Sequence, residues 1–462
     1  MPETYDLVIL GGGPGGYPAA VRARQLGMRI ALVERHQLGG TCLNRGCIPT
    51  NALIWAAHTY SDASSGKSLG INVDAISYDF GRVQAFKNRI VKKLIAGTRM
   101  LMDKNGIDLI SGHGKLADAN TVDVDGRDIV FKNLLIAVGS KVRMLPAFPL
   151  DGEKIISSDQ ALEIKELPEN IGIIGAGAIG MEFGYIFRAF GSKVTILELL
   201  PRPLPMEDPD VGAVMWGIYK HKGIDIHCGF NATLCKAADG GVKVTGKEDG
   251  KDIEYQFDML LVSIGREACT LGCNFEGVGI EMSKGAVVVD DTLRTNIPHI
   301  HAVGDCARPP LLAHKATAEG IYVVEKIAGH KRDPINYDMI PAATYTWPEV
   351  GSVGISEETA GKRGMAIRTA TFSLAGCGKA LIEGSQEGFI KGVVDKGSGK
   401  VVGISIVAPY ASELLSAAVL AVRCGVKWGD LAETCFAHPT VGEIFGELGH
   451  AFGDGSIHLP PV

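Results

Sequence analysis

No stretch of this 462-residue chain reaches the roughly eighteen consecutive apolar residues that a membrane span needs. No long lysine or arginine run appears, and the formal net charge is −6. Neither nucleic acid nor an anionic membrane surface is therefore an expected partner. The start, Met1 to Asp6, is charged and runs straight into a strand pattern, so no secretory leader is expected and the cytoplasm is the expected location. Ten cysteines are present, yet outside Cys42 and Cys47 none shows metal-ligand spacing backed by histidines, and no metal is expected. Cys228, Cys235, Cys269, Cys273, Cys306, Cys377, Cys424 and Cys435 read as core or incidental thiols. Glycine, by contrast, is plentiful at 60 residues, which suits an α/β protein with tight strand-to-helix turns around phosphates. The length implies two to four domains.

Cys42 and Cys47 lie in Gly39-Gly40-Thr41-Cys42-Leu43-Asn44-Arg45-Gly46-Cys47-Ile48-Pro49. A close pair in a chain of this kind points to catalytic rather than structural disulfide chemistry. Residues five apart in a regular helix have Cα atoms roughly 8–9 Å apart, whereas a disulfide needs less than about 7 Å. The segment is thus expected to be irregular, with Gly46 supplying the backbone freedom.

About twenty-five residues earlier, a strand-like run, Tyr5 to Leu10, enters Gly11-Gly12-Gly13-Pro14-Gly15-Gly16 and a helical pattern. A second apolar run, Arg29 to Val33, ends in Glu34. This is a strand–GxGxxG–helix–strand–acid unit. Gly11 allows the turn, Gly13 lets backbone approach a pyrophosphate, Gly16 lets helix and strand pack, and Glu34 suits a ribose. Pro18 falls in the first helical turn, where a missing N–H is tolerated. The pattern returns at Gly175-Ala176-Gly177-Ala178-Ile179-Gly180, with a strand from Lys193 ending in Glu198. Two units imply two dinucleotides, and Glu198 favours NAD over NADP because it would repel a 2′-phosphate. Arg202, a few residues later, is the feature that would favour NADP. Two further strands, Leu134 to Ile136 and His299 to Ala302, run into Gly139 and into Gly304-Asp305. From about Met339 a third, α+β region is expected, with strand-like runs Phe389 to Val394 and Lys400 to Val407 before an apolar helix, Ala411 to Val422. Near its end, His438 and Glu443 can meet if the chain turns at Pro439, and the carboxylate would then fix the imidazole tautomer.

Together these motifs resemble the flavin-dependent pyridine-nucleotide disulfide oxidoreductases, most closely those acting on dihydrolipoyl dithiols. The resemblance extends to Leu312-Ala313-His314-Lys315-Ala316 and Tyr345-Thr346-Trp347-Pro348-Glu349-Val350. It implies an α/β fold with two Rossmann-like dinucleotide-binding domains, residues 1–147 with 275–338 for FAD and 148–274 for NAD, plus a C-terminal α+β dimerisation domain, 339–462. It implies that FAD meets Gly11, Gly13, Gly16, Glu34, Gly40, Thr41, Asn51, Gly114, Gly139, Asp305, Ala313 and His314. NAD would meet Gly175, Gly177, Gly180, Glu198 and Gly265, and Glu182, from the second unit, would lie near the flavin beside the position of Asn51. It further implies a homodimer in which His438 and Glu443 serve the Cys42–Cys47 disulfide of the other subunit. Cys42 would exchange with the dithiol, Cys47 would lie against the flavin as a charge-transfer thiolate, and a lipoyl-bearing carrier would be the partner.

The chain departs from the family pattern at three places. Thr50-Asn51 replaces Ser-Lys, Ala268-Cys269 replaces Pro-Asn after Gly265-Arg266-Glu267, and Phe436 replaces the first histidine of His-x-His-Pro. Without the family lysine, Glu182 is expected to have a raised pKa. The competing readings are another FAD-dependent disulfide reductase and a non-catalytic redox-sensing flavoprotein. The tail, Gly455 to Val462, lacks the cysteine pair of mercuric reductases.

Overall fold

A computed structural model describes residues 4–72, 75–238 and 240–460; the ends of the charged N-terminal segment and of the tail, 1–3 and 461–462, lie outside the described residues. The chain separates into two compact units, one of Met1–Leu53, Asp79–Arg143 and Gly265–Ile335, the other of Ile54–Tyr78, Met144–Ile264 and Asn336–Val462.

In the first unit, strand Thr4–Leu10 sits mid-sheet, with Leu7, Val8 and Ile9 fully buried. A strand covered on both faces reads as a continuous apolar run, which is why Tyr5 to Leu10 does not alternate. It pairs in parallel with Ile30–Glu34 on one side and Arg127–Ile136 on the other. Asp108–Ser111 extends one edge and Ile300–Ala302 pairs in parallel with Arg127–Ile136. Thr121–Val124 and Gly114–Asp118 complete the sheet as antiparallel strands. Helix Tyr17–Gln25 makes the first crossover. Gly11, Glu34, Gly139 and Asp305 all lie at the carboxyl ends of parallel strands, where open α/β sheets bind their ligands.

The second unit repeats this plan. Its parallel sheet runs Ile224–Cys228, Lys193–Glu198, Asn170–Ile174, Met259–Val262, Ile155–Ile156, with helix Ala178–Ala189 as the crossover. A three-stranded antiparallel sheet, Asn231–Ala238, Gly241–Glu248 and Lys251–Phe257, follows. From Ala342 onward the unit holds a five-stranded antiparallel sheet whose central strands, Phe389–Asp395 and Val401–Ala408, coincide with the two expected runs. Helices Ala411–Cys424 and Ile444–Phe452 close its core through Leu415, Phe445, Leu448 and Phe452. The fold is the expected α/β class with an α+β C-terminal part. Among the described residues, no helix is long and apolar enough to cross a membrane.

Candidate active site and dinucleotide loops

The segment around the cysteine pair breaks at its glycine. Helix Gly40–Arg45 ends at Gly46 (φ −147°, ψ −117°), and a new helix, Cys47–Ser65, begins at the next residue. A Cβ on Gly46 would lie 3.1 Å from Thr41 O and 3.4 Å from Cys42 Cα, so the approach has no room for a side chain. Cys42 and Cys47 are free thiols joined by a hydrogen bond. That bond, burial and the neighbouring charge of Cys47 all raise the Cys42 pKa, so the proton stays on Cys42. Cys42 is half-buried and Cys47 exposed. The other eight cysteines are also free; Cys235, Cys273, Cys306 and Cys377 are buried, and Cys269 Sγ accepts a bond from Arg35 at 2.9 Å.

The two glycine loops match bond for bond. Gly11 N donates to Val33 O and Gly175 N to Leu197 O, both at 2.8 Å. Glu34 accepts from Gly12 N at 2.7 Å and His36 N at 2.8 Å; Glu198 accepts from Ala176 N at 2.6 Å and Leu200 N at 2.8 Å. A Cβ on Gly16 would stand 1.8 Å from Gly11 O, and one on Gly180 would stand 1.9 Å from Gly175 O, so each helix rides directly on its loop. Neither helix has a side-chain cap at its N-terminus. Both ends therefore offer backbone donors and the positive end of a helix dipole, the donor set a pyrophosphate requires. The central glycines leave the cradles clear. A Cβ on Gly13 would meet only Gly40 Cα at 3.6 Å, and one on Gly177 would meet nothing within 4 Å. A cavity of about 50 Å³ opens between Gly11, Glu34, Arg35, His113 and Cys269. These residues fit two dinucleotides. Arg202 is already engaged, donating to Glu358 at 2.8 Å.

Most of the remaining expected FAD-side residues cluster in the first unit. Asp305 accepts from Ser140 Oγ at 2.5 Å. Gly139 O accepts from Cys269 N and Gly265 O from Arg143 N. Gly114 opens strand Gly114–Asp118, and Ala313 and His314 open helix Ala313–Ile327. Asn51 donates to Cys47 O at 2.9 Å within its own helix. In the second unit, Glu182 accepts from Tyr345 N at 3.0 Å, and burial, only partly offset by that bond, lifts its pKa to about 7. His438 Nδ1 and Glu443 Oε1 are 2.8 Å apart, and Glu443 Oε2 accepts from Thr440 N at 2.9 Å. Burial raises the Glu443 pKa, but the Thr440 amide and His438 outweigh it, and the net shift is downward. An ionised Glu443 takes the Nδ1 hydrogen and leaves Nε2 as the acceptor.

Sequence reasoning missed the supports of Asp305. Lys315 and Glu319 are fully buried 3.1 Å apart; Glu319 accepts from Gly304 N at 2.7 Å while Lys315 donates to Gly304 O and Arg308 O. Lys315 stood in the Leu312–Ala316 motif, but the only sign that it meets Glu319 was their spacing of four on one helix face. Arg266 stood in the Gly265-Arg266-Glu267 motif, but nothing in the sequence joined it to Ser140, 126 residues away.

Residues 5–320 match the family described as pyridine nucleotide-disulphide oxidoreductase, and residues 340–448 match its dimerisation domain. A dihydrolipoyl dehydrogenase of Bacillus subtilis (strain 168) is 36% identical over 475 residues, covering 99% of this chain and 100% of the relative. That of Geobacillus stearothermophilus is 39% identical over 462 residues, covering 99% and 98%. Among solved structures, LpdA from Mycobacterium tuberculosis superposes with a TM-score of 0.89 at 26% identity, covering 96% of this chain and 99% of that one. The HOCl-induced flavoprotein disulfide reductase RclA from Escherichia coli gives 0.85 at 28% identity, with the same coverage.

Proposed function

As this chain belongs to the pyridine nucleotide-disulphide oxidoreductase family, we propose that Cys42 and Cys47 are its redox couple and His438, oriented by Glu443, its base. The protein is an NAD-dependent disulfide oxidoreductase with FAD and NAD as cofactors, and it oxidises a dihydrolipoyl-type dithiol. A different disulfide reductase or a non-catalytic redox sensor is not favoured, because relatives matching 99% of the chain are dihydrolipoyl dehydrogenases.

In the proposed sequence, His438 Nε2 takes the proton of one substrate thiol. The thiolate attacks Cys42 Sγ, the Cys42–Cys47 bond breaks, and Cys47 leaves as a thiolate. The second substrate thiol attacks the mixed disulfide; Cys42 leaves as a thiol with the proton His438 had taken, and the second thiol's proton passes to the freed Nε2, so His438 ends protonated. The substrate has gained an S–S bond and lost two electrons; the cysteine pair holds them. When bound, FAD supplies the two-electron link from that pair to NAD. The raised pKa of Cys42 supports its role as the proton-bearing thiol, and the exposure of Cys47 leaves its sulfur open to a cofactor face. Gly11, Gly13, Gly16, Glu34 and Asp305 would hold FAD; Gly175, Gly177, Gly180 and Glu198 would hold NAD. Residues 1–147 with 275–338, 148–274 and 339–462 would be the FAD, NAD and dimerisation domains. The chain would act as a cytoplasmic homodimer on a lipoyl-bearing carrier.

The observation that carries this reading is the thiol–thiol contact across the break at Gly46. Steady-state turnover with dihydrolipoamide and NAD tests it: wild-type protein turns over and Cys42→Ser does not, while keeping its FAD. Mixed dimers of His438→Ala and Cys42→Ser subunits test the cross-subunit base. They regain activity if the dyad serves its neighbour, and stay inactive if it serves its own chain.

A further inference from the structure

A single hydrogen-bonded path in the first unit runs from the redox helix to Asp305. Arg266 Nη2 donates to Thr41 Oγ1 at 3.3 Å, and Thr41 precedes Cys42. The same guanidinium donates from Nε to Ser140 Oγ at 2.8 Å and from Nη2 to Ser140 O at 2.9 Å. Ser140 Oγ lies 2.5 Å from Asp305 Oδ2. The direction of every bond is fixed by chemistry. A guanidinium only donates, so Ser140 Oγ spends its one hydrogen on Asp305, which accepts as a carboxylate. Ser140 is buried and Arg266 half-buried, so water does not freely replace either partner. Arg266 is held in register by its own short strand, Arg266–Ala268, paired with Ser140–Val142.

We propose that Arg266 is a positioning residue that fixes the cysteine couple relative to Asp305, with its guanidinium hydrogen-bonded to Thr41 beside the couple and, through Ser140, one side chain away from that carboxylate. The inference rests on the functional reading of Cys42 and Cys47 above. Two consequences follow. The fork to Ser140 and Thr41 sets where Cys42 stands relative to the group that Asp305 holds. The charge of Asp305 is one of the causes that raise the Cys42 pKa, and a guanidinium held against Thr41 and Ser140 brings a positive charge to the same edge, which favours the thiolate of the reduced pair. Lysine could replace the charge but not the planar fork.

The test uses the FAD-loaded dimer and two readouts. The Cys42–Cys47 equilibrium is measured against glutathione redox buffers by thiol labelling and mass spectrometry, and kcat and KM are measured with dihydrolipoamide. For Arg266→Met, the equilibrium constant moves about tenfold toward the disulfide, or about 30 mV, and kcat falls more than KM changes. Arg266→Lys restores the equilibrium but not kcat. Ser140→Ala, which keeps the Arg266–Thr41 bond, moves the equilibrium in the same direction by a smaller factor. An Arg266→Met protein that retains FAD with unchanged equilibrium and kcat overturns the proposal. So does an Arg266→Lys protein indistinguishable from Arg266→Met in both readouts. The glutathione equilibrium does not use the lipoyl substrate. A wild-type protein inert toward dihydrolipoamide therefore refutes the substrate reading, while the equilibrium still decides the role of Arg266.

Discussion

The two glycine loops share a skeleton and differ in what returns to them. In both, the segment after the acidic residue comes back and donates an amide to the loop's second residue: Gly39 N to Gly12 O, and Leu204 N to Ala176 O, each at 2.8 Å. Both returning residues have positive φ, +94° for Gly39 and +48° for Leu204. After Gly39 the redox helix starts at once, and a Cβ on Gly40 would strike Gly13 Cα at 2.7 Å. After Leu204 the chain reaches Asp208, which caps helix Pro209–His221, and no protein atom lies within 4 Å of a Cβ on Gly177. One duplicated cradle is thus followed directly by the helix that carries Cys42, while the segment returning to the other leads into helix Pro209–His221. That asymmetry fits the proposed division between a tightly held FAD and an exchanging NAD.

The largest expected effect breaks the first cradle's chemistry alone. Cys42→Ser lowers turnover by more than about 10⁴-fold while the Kd for NADH, measured by fluorescence, stays within twofold or so. His438→Ala comes next. Loss of a general base lowers kcat by about 10²–10⁴-fold, and Glu443→Ala costs less, because that carboxylate only orients the ring. Flavin content by absorbance stays full in both.

A third substitution sharpens the second cradle. Lys391 is 5% exposed and lies 3.0 Å from Asp208, 2.7 Å from Asp210 and 2.7 Å from Glu357. Burial lowers its pKa, but the three carboxylates outweigh that and hold it charged. Lys391→Met strands the buried Asp208 carboxylate, and breaking such a cluster costs about 3–5 kcal/mol, read by urea unfolding. The companion effect is weaker NADH binding without flavin loss.

The smallest effect concerns Glu182, on the second loop's helix. Its pKa rises from 4.5 unfolded to about 7 folded. The folded state therefore binds the proton more tightly, and its stability falls as pH rises through that window. Glu182→Gln keeps the acceptor for Tyr345 N and removes the charge. Because Glu182 is half-buried, the gain is roughly 1–2 kcal/mol at pH 8 and none near pH 4. Equal gains at both pH values would mean that the carboxylate's charge is not the cause.

Local pattern made most of this legible. The glycine loops, their acids, the Gly46 break and the His438–Glu443 pair are each short in sequence, so spacing alone carried them. The supports were not. Ser140 meets Asp305 across 165 residues and Arg266 meets Thr41 across 225, contacts made only when the chain folds and brings distant segments to one edge. Lys391 reads as an alternating strand residue until folding sets three acids around it. Sequence named the groups proposed to do chemistry; the fold shows which groups hold them.

The most direct test is the flavin-to-protein ratio of purified Gly13→Ala and Gly177→Ala. Neither added methyl group comes within 3.6 Å of a protein atom, so both variants fold and only the approach of a pyrophosphate is blocked. Gly13→Ala should lose flavin, whereas Gly177→Ala should keep a full complement and bind NADH at least about tenfold more weakly, the loss of some 1.4 kcal/mol. A Gly13→Ala protein that retains its flavin, or a Gly177→Ala protein that sheds it, would contradict the division between a cradle built against the redox couple and one left open for exchange.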